Sequence, residues 1–326
     1  MTAPDQTRRV VVTDYNFPAL EAEQAAAEAA GATFAGRQCK NAEEVGDQVE
    51  GASAVFVQFA PMDAAAINRL ADPAIIVRYG VGFDNIDIEA AKARGVRVCY
   101  VPDYCIDEVA DHTSSLLLAL LRRLPILDQS VRRGEWAPAL AARPLPPFDQ
   151  TTVGFLGLGR IGQAVLTRLR PFGFRFVITD PRVDAERAAG FGAEAMPLSA
   201  LWSSADAILL HAPSTPETRH IVNADSLSAM KPGVVLVNCA RGDLIHEGAL
   251  AEALTSGTVR AAGLDVFETE PLPETSPLRA APNLLLSPHA AWYSETSIGR
   301  LQKLAADEVT RFFNGDPPRC PVPDSI

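Results

Sequence analysis

At 326 residues, 48% of them hydrophobic and 21% charged, the chain is too long for one ordinary core and suits two domains, which implies a cleft; its formal net charge of −11 repels a phosphate backbone and excludes nucleic acid as the expected partner. No apolar run approaches the roughly 20 residues that cross a bilayer, SSLLLALL at 114–121 being far too short, and the start has no apolar stretch of a secretory leader, so no membrane association and a cytoplasmic location are expected. The five cysteines (39, 99, 105, 239, 320) are odd in number and contain no C-x-x-C, which predicts reduced thiols, no disulfide framework and no metal.

Short β-branched runs alternate with alanine-rich helical stretches, the pattern of parallel sheets covered by helices. The first set is RVVVTD (9–14), AVFVQ (54–58), IIVRY (75–79) and VRVCY (96–100), with ALEAEQAAAEAAG between the first two and Gly31 as its C-cap. From Asp107 to about Leu124 the spacing predicts one long helix, apolar on more than one side and therefore buried between layers. After it comes RPLPPFDQ (143–150), proline-rich and unable to continue a helix. A second α/β set follows: TVGFLGLG (152–159), FRFVITD (174–180), DAILLHAP (206–213), VVLVNCA (234–240), AAGLDVF (261–267) and NLLLSPH (283–289). The tail reads as an amphipathic helix with Ile298, Leu301, Leu304, Ala305 and Phe312 on one stripe and Gly315 beyond its end.

Gly157, Gly159 and Gly162 stand in G-x-G-x-x-G spacing after an apolar strand and before a helical stretch that opens at Arg160 and Ile161. In that context the triplet reads as a dinucleotide fingerprint, with the pyrophosphate on the helix N-terminus. The next strand ends at Asp180, 18 residues after Gly162, where a carboxylate binds ribose hydroxyls and repels a 2′-phosphate; the expected cofactor is NAD rather than NADP. Open α/β sheets bind ligands at the carboxyl ends of their strands. Those ends carry His211, Ala212 and Pro213, then Asn238, Cys239, Ala240 and Arg241, then Asp265, and finally His289. An imidazole facing a nicotinamide and a small carbonyl acts as general acid or base, and a nearby carboxylate, Glu268 or Glu270 in VFETEP, raises and holds its pKa.

Together GLGRIG, VNCARGDLIHEGAL, GLDVFETEPLP and PHAAWYSE resemble the D-isomer-specific 2-hydroxyacid dehydrogenase family, over about residues 50–315. GFDNIDI and PHAAWYSE are most similar to its C-terminal binding protein branch. The resemblance implies an oxidoreductase with a catalytic trio of Arg241, Glu270 and His289, and it selects Glu270 over Glu268. It implies a Rossmann NAD-binding domain at 103–292 and a split, flavodoxin-like substrate domain made of 1–102 plus 293–326. By the same resemblance Arg78 and the backbone of Val81 and Gly82 face the substrate carboxylate, Trp292 reaches over the substrate side chain, Asp265 holds the nicotinamide carboxamide, and the 107–124 helix with the proline-rich loop joins a homodimer. It also carries an alternative, an NAD(H)-sensing corepressor-like interaction protein that retains the site; the full trio favours the enzyme. His246 stands where the family often has Asp, a helix N-cap that an imidazole fills less well, at about 1 kcal/mol. Cys105 is expected to border the substrate, His112 to pack under the cofactor domain, His220 to lie on the surface and Cys239 to be a small buried neighbour of Arg241.

Overall fold

The structure, a computed structural model, describes residues 8–137, 140 and 142–323, so the ends of the expected substrate domain at 1–7 and 324–326 lie outside the described residues. The chain divides into two compact units, one formed by the residues up to Cys105 together with those from Tyr293 onward, the other by Ile106–Trp292.

The first unit holds a parallel sheet of β1 (Arg9–Val12), β2 (Thr33–Gly36), β3 (Ala54–Val57), β4 (Ile75–Arg78) and β5 (Arg97–Tyr100) in the order β2-β1-β3-β4-β5, the doubly wound flavodoxin-like order. The inner strands are apolar on both faces, and Val11, Val55, Phe56, Ile75, Ile76 and Val98 are fully buried, as strands covered by helices on both sides require. The covering helices are α1 (Glu21–Ala29), α2 (Ala42–Val49), the short α3 (Ala64–Ile67) and α4 (Ile88–Ala93), with Gly31 at φ +65° just past the end of α1. The tail helix, Glu295–Asn314, returns to this unit and packs on α1, where Gln302 and the buried Tyr79 hydroxyl both donate to Glu23. Its buried stripe is centred on Leu301, Ala305 and Val309. Ile298, Leu304 and Phe312 are only partly covered, and Glu308 turns inward to accept the N–H groups of Arg319 and Cys320.

The second unit opens with α5 (Ile106–Leu121). The helix expected to reach Leu124 stops earlier, since Arg123 takes a left-handed φ of +55° and Pro125 sits in the first turn of α6 (Leu124–Arg132). The seven strands are β6 (Thr152–Leu156), β7 (Arg175–Thr179), β8 (Ala193–Ala195), β9 (Ala207–Leu210), β10 (Val234–Asn238), β11 (Val259–Leu264) and β12 (Leu284–Leu286). All are parallel, in the order β12-β11-β10-β9-β6-β7-β8. The order reverses between β6 and β9, which makes their carboxyl ends the place where such a sheet takes a ligand. Helices α7 (Arg160–Leu169), α8 (Ala185–Gly190), α9 (Leu198–Ser204), α10 (Ala224–Ala229) and α11 (Glu247–Ser256) complete the two layers around the sheet. Gly263 lets α5 lie close on β11, since a Cβ there would come within 3.2 Å of Leu116 and Leu120.

Every expected strand is present, and most are shorter at the carboxyl end than their apolar runs: residues 157–159, 211–213, 239–240 and 287–289 have left the sheet for the loops that carry the site. Among the described residues no helix is long and apolar enough to cross a membrane, and no cluster of His, Cys, Asp and Glu could hold a metal ion.

Candidate active site

Between β6 and α7 the chain needs its glycines. Gly157 has a φ of +89°, and a Cβ on it would stand 2.7 Å from the His211 carbonyl oxygen, so the loop lies directly against the end of β9. A Cβ on Gly162 would press on the Gly157 carbonyl at 3.0 Å, whereas one on Gly159 would meet nothing within 4 Å. Gly159 is also the N-cap of α7 and supplies no side-chain acceptor, which leaves the first-turn N–H groups, beginning at Arg160, Ile161 and Gly162, without a cap. A cradle without side chains in front of uncapped N–H donors fits a pyrophosphate.

Asp180 follows β7, its side chain only 3% exposed. Its oxygens accept the N–H groups of Leu158 at 2.7 Å and Arg182 at 2.8 Å. Burial opposes its ionisation, but these two bonds and the Arg182 charge outweigh that and hold the carboxyl below its ordinary value. His211 continues from β9, its ring stacked 6.0 Å from Phe155 and its Nε2 sealed from solvent with no hydrogen-bond partner among the described residues. Burial pushes it down to about 4, so it is neutral at physiological pH. Ala212 is buried, and Pro213 carries the chain on, its carbonyl receiving the Thr218 hydroxyl.

The turn after β10 is shaped by Asn238, whose buried amide accepts from the Ala240 N–H at 3.0 Å and donates to the Arg241 carbonyl at 2.8 Å. Cys239 lies within it, and burial pushes its thiol up to about 12, so it stays protonated. Gly242 has no room for a Cβ, which would collide with the Phe267 backbone. That contact brings Arg241 to the loop carrying the acid, and its charge helps to lower Glu270.

Glu270 and His289 meet: the imidazole Nδ1 lies 2.6 Å from Glu270 Oε2, while Oε1 accepts the Phe267 N–H at 3.0 Å. Burial works against the charged carboxyl, but the hydrogen bond and charge of His289, the Phe267 N–H and Arg241 together hold Glu270 below its ordinary value. Glu268 is engaged elsewhere, with Oε1 2.5 Å from His220 Nε2 and Oε2 accepting the Glu247 N–H. His289 is held at a left-handed φ of +51°, a conformation costing a non-glycine residue roughly 1–2 kcal/mol. Its N–H donates to the Asp265 carbonyl at 2.7 Å, and the Ala290 and Ala291 N–H groups donate to the two Asp265 carboxylate oxygens, each at 2.9 Å. Ser287 Oγ also donates to Asp265 Oδ1, at 2.5 Å, and lies 2.9 Å from His112 Nε2. Sequence reasoning gave Ser287 no role and left His112 as packing. Their only local signal is a hydroxyl two residues before the histidine.

Trp292, partly buried, ends this unit three residues past His289. In the first unit Arg78 closes β4, with Nη1 donating to the Tyr79 carbonyl and the guanidinium 6.0 Å from the Phe59 ring centroid. Gly80, at φ +141°, leaves the space the Arg78 guanidinium fills, and Val81 and Gly82 follow it in the partly exposed loop. His246 does cap α11: its Nδ1 accepts the Ala249 N–H at 3.1 Å.

The family described as D-isomer specific 2-hydroxyacid dehydrogenase, NAD binding domain, matches residues 114–291. The chain is 43% identical over 281 residues to a D-3-phosphoglycerate dehydrogenase of Mycobacterium tuberculosis, covering 84% of this chain and 51% of that one, so it spans about half the length of such relatives. It is 37% identical over 262 residues to a glyoxylate reductase of Korarchaeum cryptofilum, covering 79% and 78% of the two chains. The crystal structure of a glyoxylate reductase from Paecilomyes thermophila superposes with a TM-score of 0.86 at 27% identity, over 98% and 99% of the two chains. A family match over more than half of the chain, on the unit that holds the glycine cradle, shows that the protein belongs to the D-isomer specific 2-hydroxyacid dehydrogenase family and that this unit binds NAD.

Proposed function

We propose that the protein is a reductase of 2-oxo acids that interconverts them with D-2-hydroxy acids, and the observation that carries this reading is the 2.6 Å pair of His289 and Glu270 beside Arg241. NAD(H), held by the glycine cradle and Asp180, supplies the hydride for reduction or accepts it in oxidation. Arg241 binds the substrate carboxylate and polarises the carbonyl, a task that suits a planar fork of donors. With Nδ1 committed to Glu270, the proton moves at Nε2 of His289, toward the C2 oxygen in reduction and away from it in oxidation. Glu270 stays charged across the working range because it is held below its ordinary value, and so it stabilises the imidazolium. Three donors occupy three of the roughly four lone-pair sites of Asp265, which leaves Oδ2 one site for the nicotinamide carboxamide.

Arg78 and the backbone of Val81 and Gly82 are the substrate contacts we assign to the first unit, and Trp292 the cover over the substrate side chain. The C-terminal binding protein-like branch rests on GFDNIDI and PHAAWYSE, and with it go a cytoplasmic homodimer and an apolar substrate side chain. The relatives' names supply two competing acids, a phosphorylated one and glyoxylate. Following NADH absorbance with a panel of 2-oxo acids tests the reading: at least one is reduced, and His289→Ala lowers kcat by about 10² or more while NADH still binds. Reduction of none, or an undiminished kcat in His289→Ala, overturns it.

A further inference from the structure

The left-handed turn that presents His289 has one weak bond of its own, the His289 N–H reaching the Ser287 carbonyl at 3.1 Å. A residue at φ +51° with a side chain resists that conformation, and the 287–291 segment has no helix or strand of its own to impose it. What holds it is Asp265, which follows β11 and is buried completely. Its carbonyl takes the His289 N–H and its carboxylate takes those of Ala290 and Ala291. The carboxylate in turn must be oriented, and the groups that do so gather at Oδ1, the oxygen that also takes the Ala290 N–H. Ser287 Oγ donates to Oδ1 at 2.5 Å, and His112 Nε2, in the middle of α5, stands 2.9 Å from that hydroxyl and 3.7 Å from Oδ1.

The direction of these bonds follows from the inventory of protons. Both Asp265 oxygens act as acceptors for backbone N–H groups, and a carboxylate only accepts. The single Ser287 proton therefore goes to Asp265, and Ser287 Oγ is left to accept from His112 Nε2–H. His112 is thereby fixed as the donor at the outer end of a chain, His112 to Ser287 to Asp265, which ends on the peptide groups of the catalytic turn.

We propose that His112 and Ser287 are positioning residues for proton transfer: acting through Asp265, they hold His289 in the left-handed turn that aims its imidazole. The proposal rests on the reading of His289 as the proton-transfer residue. Neither is among the residues assigned above to the substrate. Their effect falls on kcat, since misplacing a reacting group by about 1 Å costs on the order of 10²-fold.

Ser287→Thr and Ser287→Val differ only in the hydroxyl, which makes them the decisive pair, with His112→Phe as the independent break at the other end. In the 326-residue chain, Ser287→Val and His112→Phe should lower kcat by about 10- to 100-fold, with a much smaller loss of NADH affinity by fluorescence, since Asp265 also holds the nicotinamide carboxamide, and a thermal midpoint close to the parent's, while Ser287→Thr restores kcat. The second readout needs no turnover. Proton spectra of the cofactor-free protein contain five imidazole Cε1–H signals, and the one missing in His289→Ala identifies His289. That signal should be displaced in Ser287→Val and in His112→Phe and keep its place in Ser287→Thr. Val and Thr variants with the same kcat and the same His289 signal would overturn the proposal, as would losses confined to NADH affinity or thermal stability. A parent inactive on every 2-oxo acid would refute the functional reading alone, and the His289 signal would still decide the positioning.

Discussion

Acidifying the cofactor-free protein from neutrality should weaken it through His211, by an amount the structure sets. The ring stacks on Phe155 beneath the glycine loop, and a Cβ on Gly162 would lie 3.6 Å from it, so a proton at the sealed Nε2 would be a cation with no partner. Burial lowers the imidazole from 6.5 to about 4. The unfolded chain takes up this proton as pH falls through 6.5 and the folded chain refuses it until about 4. Stability from this group is thus complete above 6.5 and is lost as pH falls toward the folded value. At ~1.36 kcal/mol per pKa unit the full loss is roughly 3–4 kcal/mol, and about 2 kcal/mol of it has gone by about pH 5. Urea unfolding of the parent and of His211→Gln, near pH 7 and at about pH 5, isolates the contribution. Asp180 and Glu270, the lowered carboxyls of the site, titrate alike in both proteins and cancel. The parent should lose about 2 kcal/mol more than the variant over this interval. Parallel losses in the two proteins would show that His211 accepts its proton in the folded state, and the reasoning from its burial would be wrong.

NAD(H) should be preferred over NADP(H) by at least about tenfold in kcat/KM, and Asp180→Ala should narrow the gap; equal use of both by the parent would refute the role given to Asp180. For Trp292→Ala, kcat/KM for 4-methylthio-2-oxobutanoate should fall by an equivalent of roughly 1–3 kcal/mol, with glyoxylate much less affected; equal losses would make Trp292 a packing residue, and a parent preference for 3-phosphohydroxypyruvate would overturn the apolar assignment. His246→Asp should raise stability by up to about 1 kcal/mol in thermal unfolding near neutral pH, because a carboxylate caps the Ala249 N–H better than the imidazole Nδ1 does; no gain would mean that the imidazole caps as well as a carboxylate.

Much of the architecture is legible along the chain because it is written by neighbours. The runs at 152–156 and 175–179, the glycine spacing at 157–162 and the acid at 180 each depend on residues a few positions apart, and all are found in their expected elements. Local reading failed where the deciding partner is remote. The edge strands β2 and β8 are short and half-exposed, so TFAG and AEA carry no alternation, and only pairing with β1 and β7 makes them strands. The expected helix reached past Leu121 because its apolar residues continue, while the turn at Arg123 is a backbone event that periodicity does not record.

The site divides in the same way. By themselves the residues establish that an arginine, two glutamates and a histidine stand at strand ends, since strand ends follow from local pattern. Local pattern left Glu268 and Glu270 open and only the family resemblance selected Glu270; the fold supplies the physical reason, because two residues along a loop point to different neighbours, one to His220 and the other to His289. The tertiary structure alone joins His112 to Ser287 and Asp265, across 175 residues of chain, because a hydrogen bond requires atoms about 3 Å apart and only the stacking of α5 on β11 brings them there.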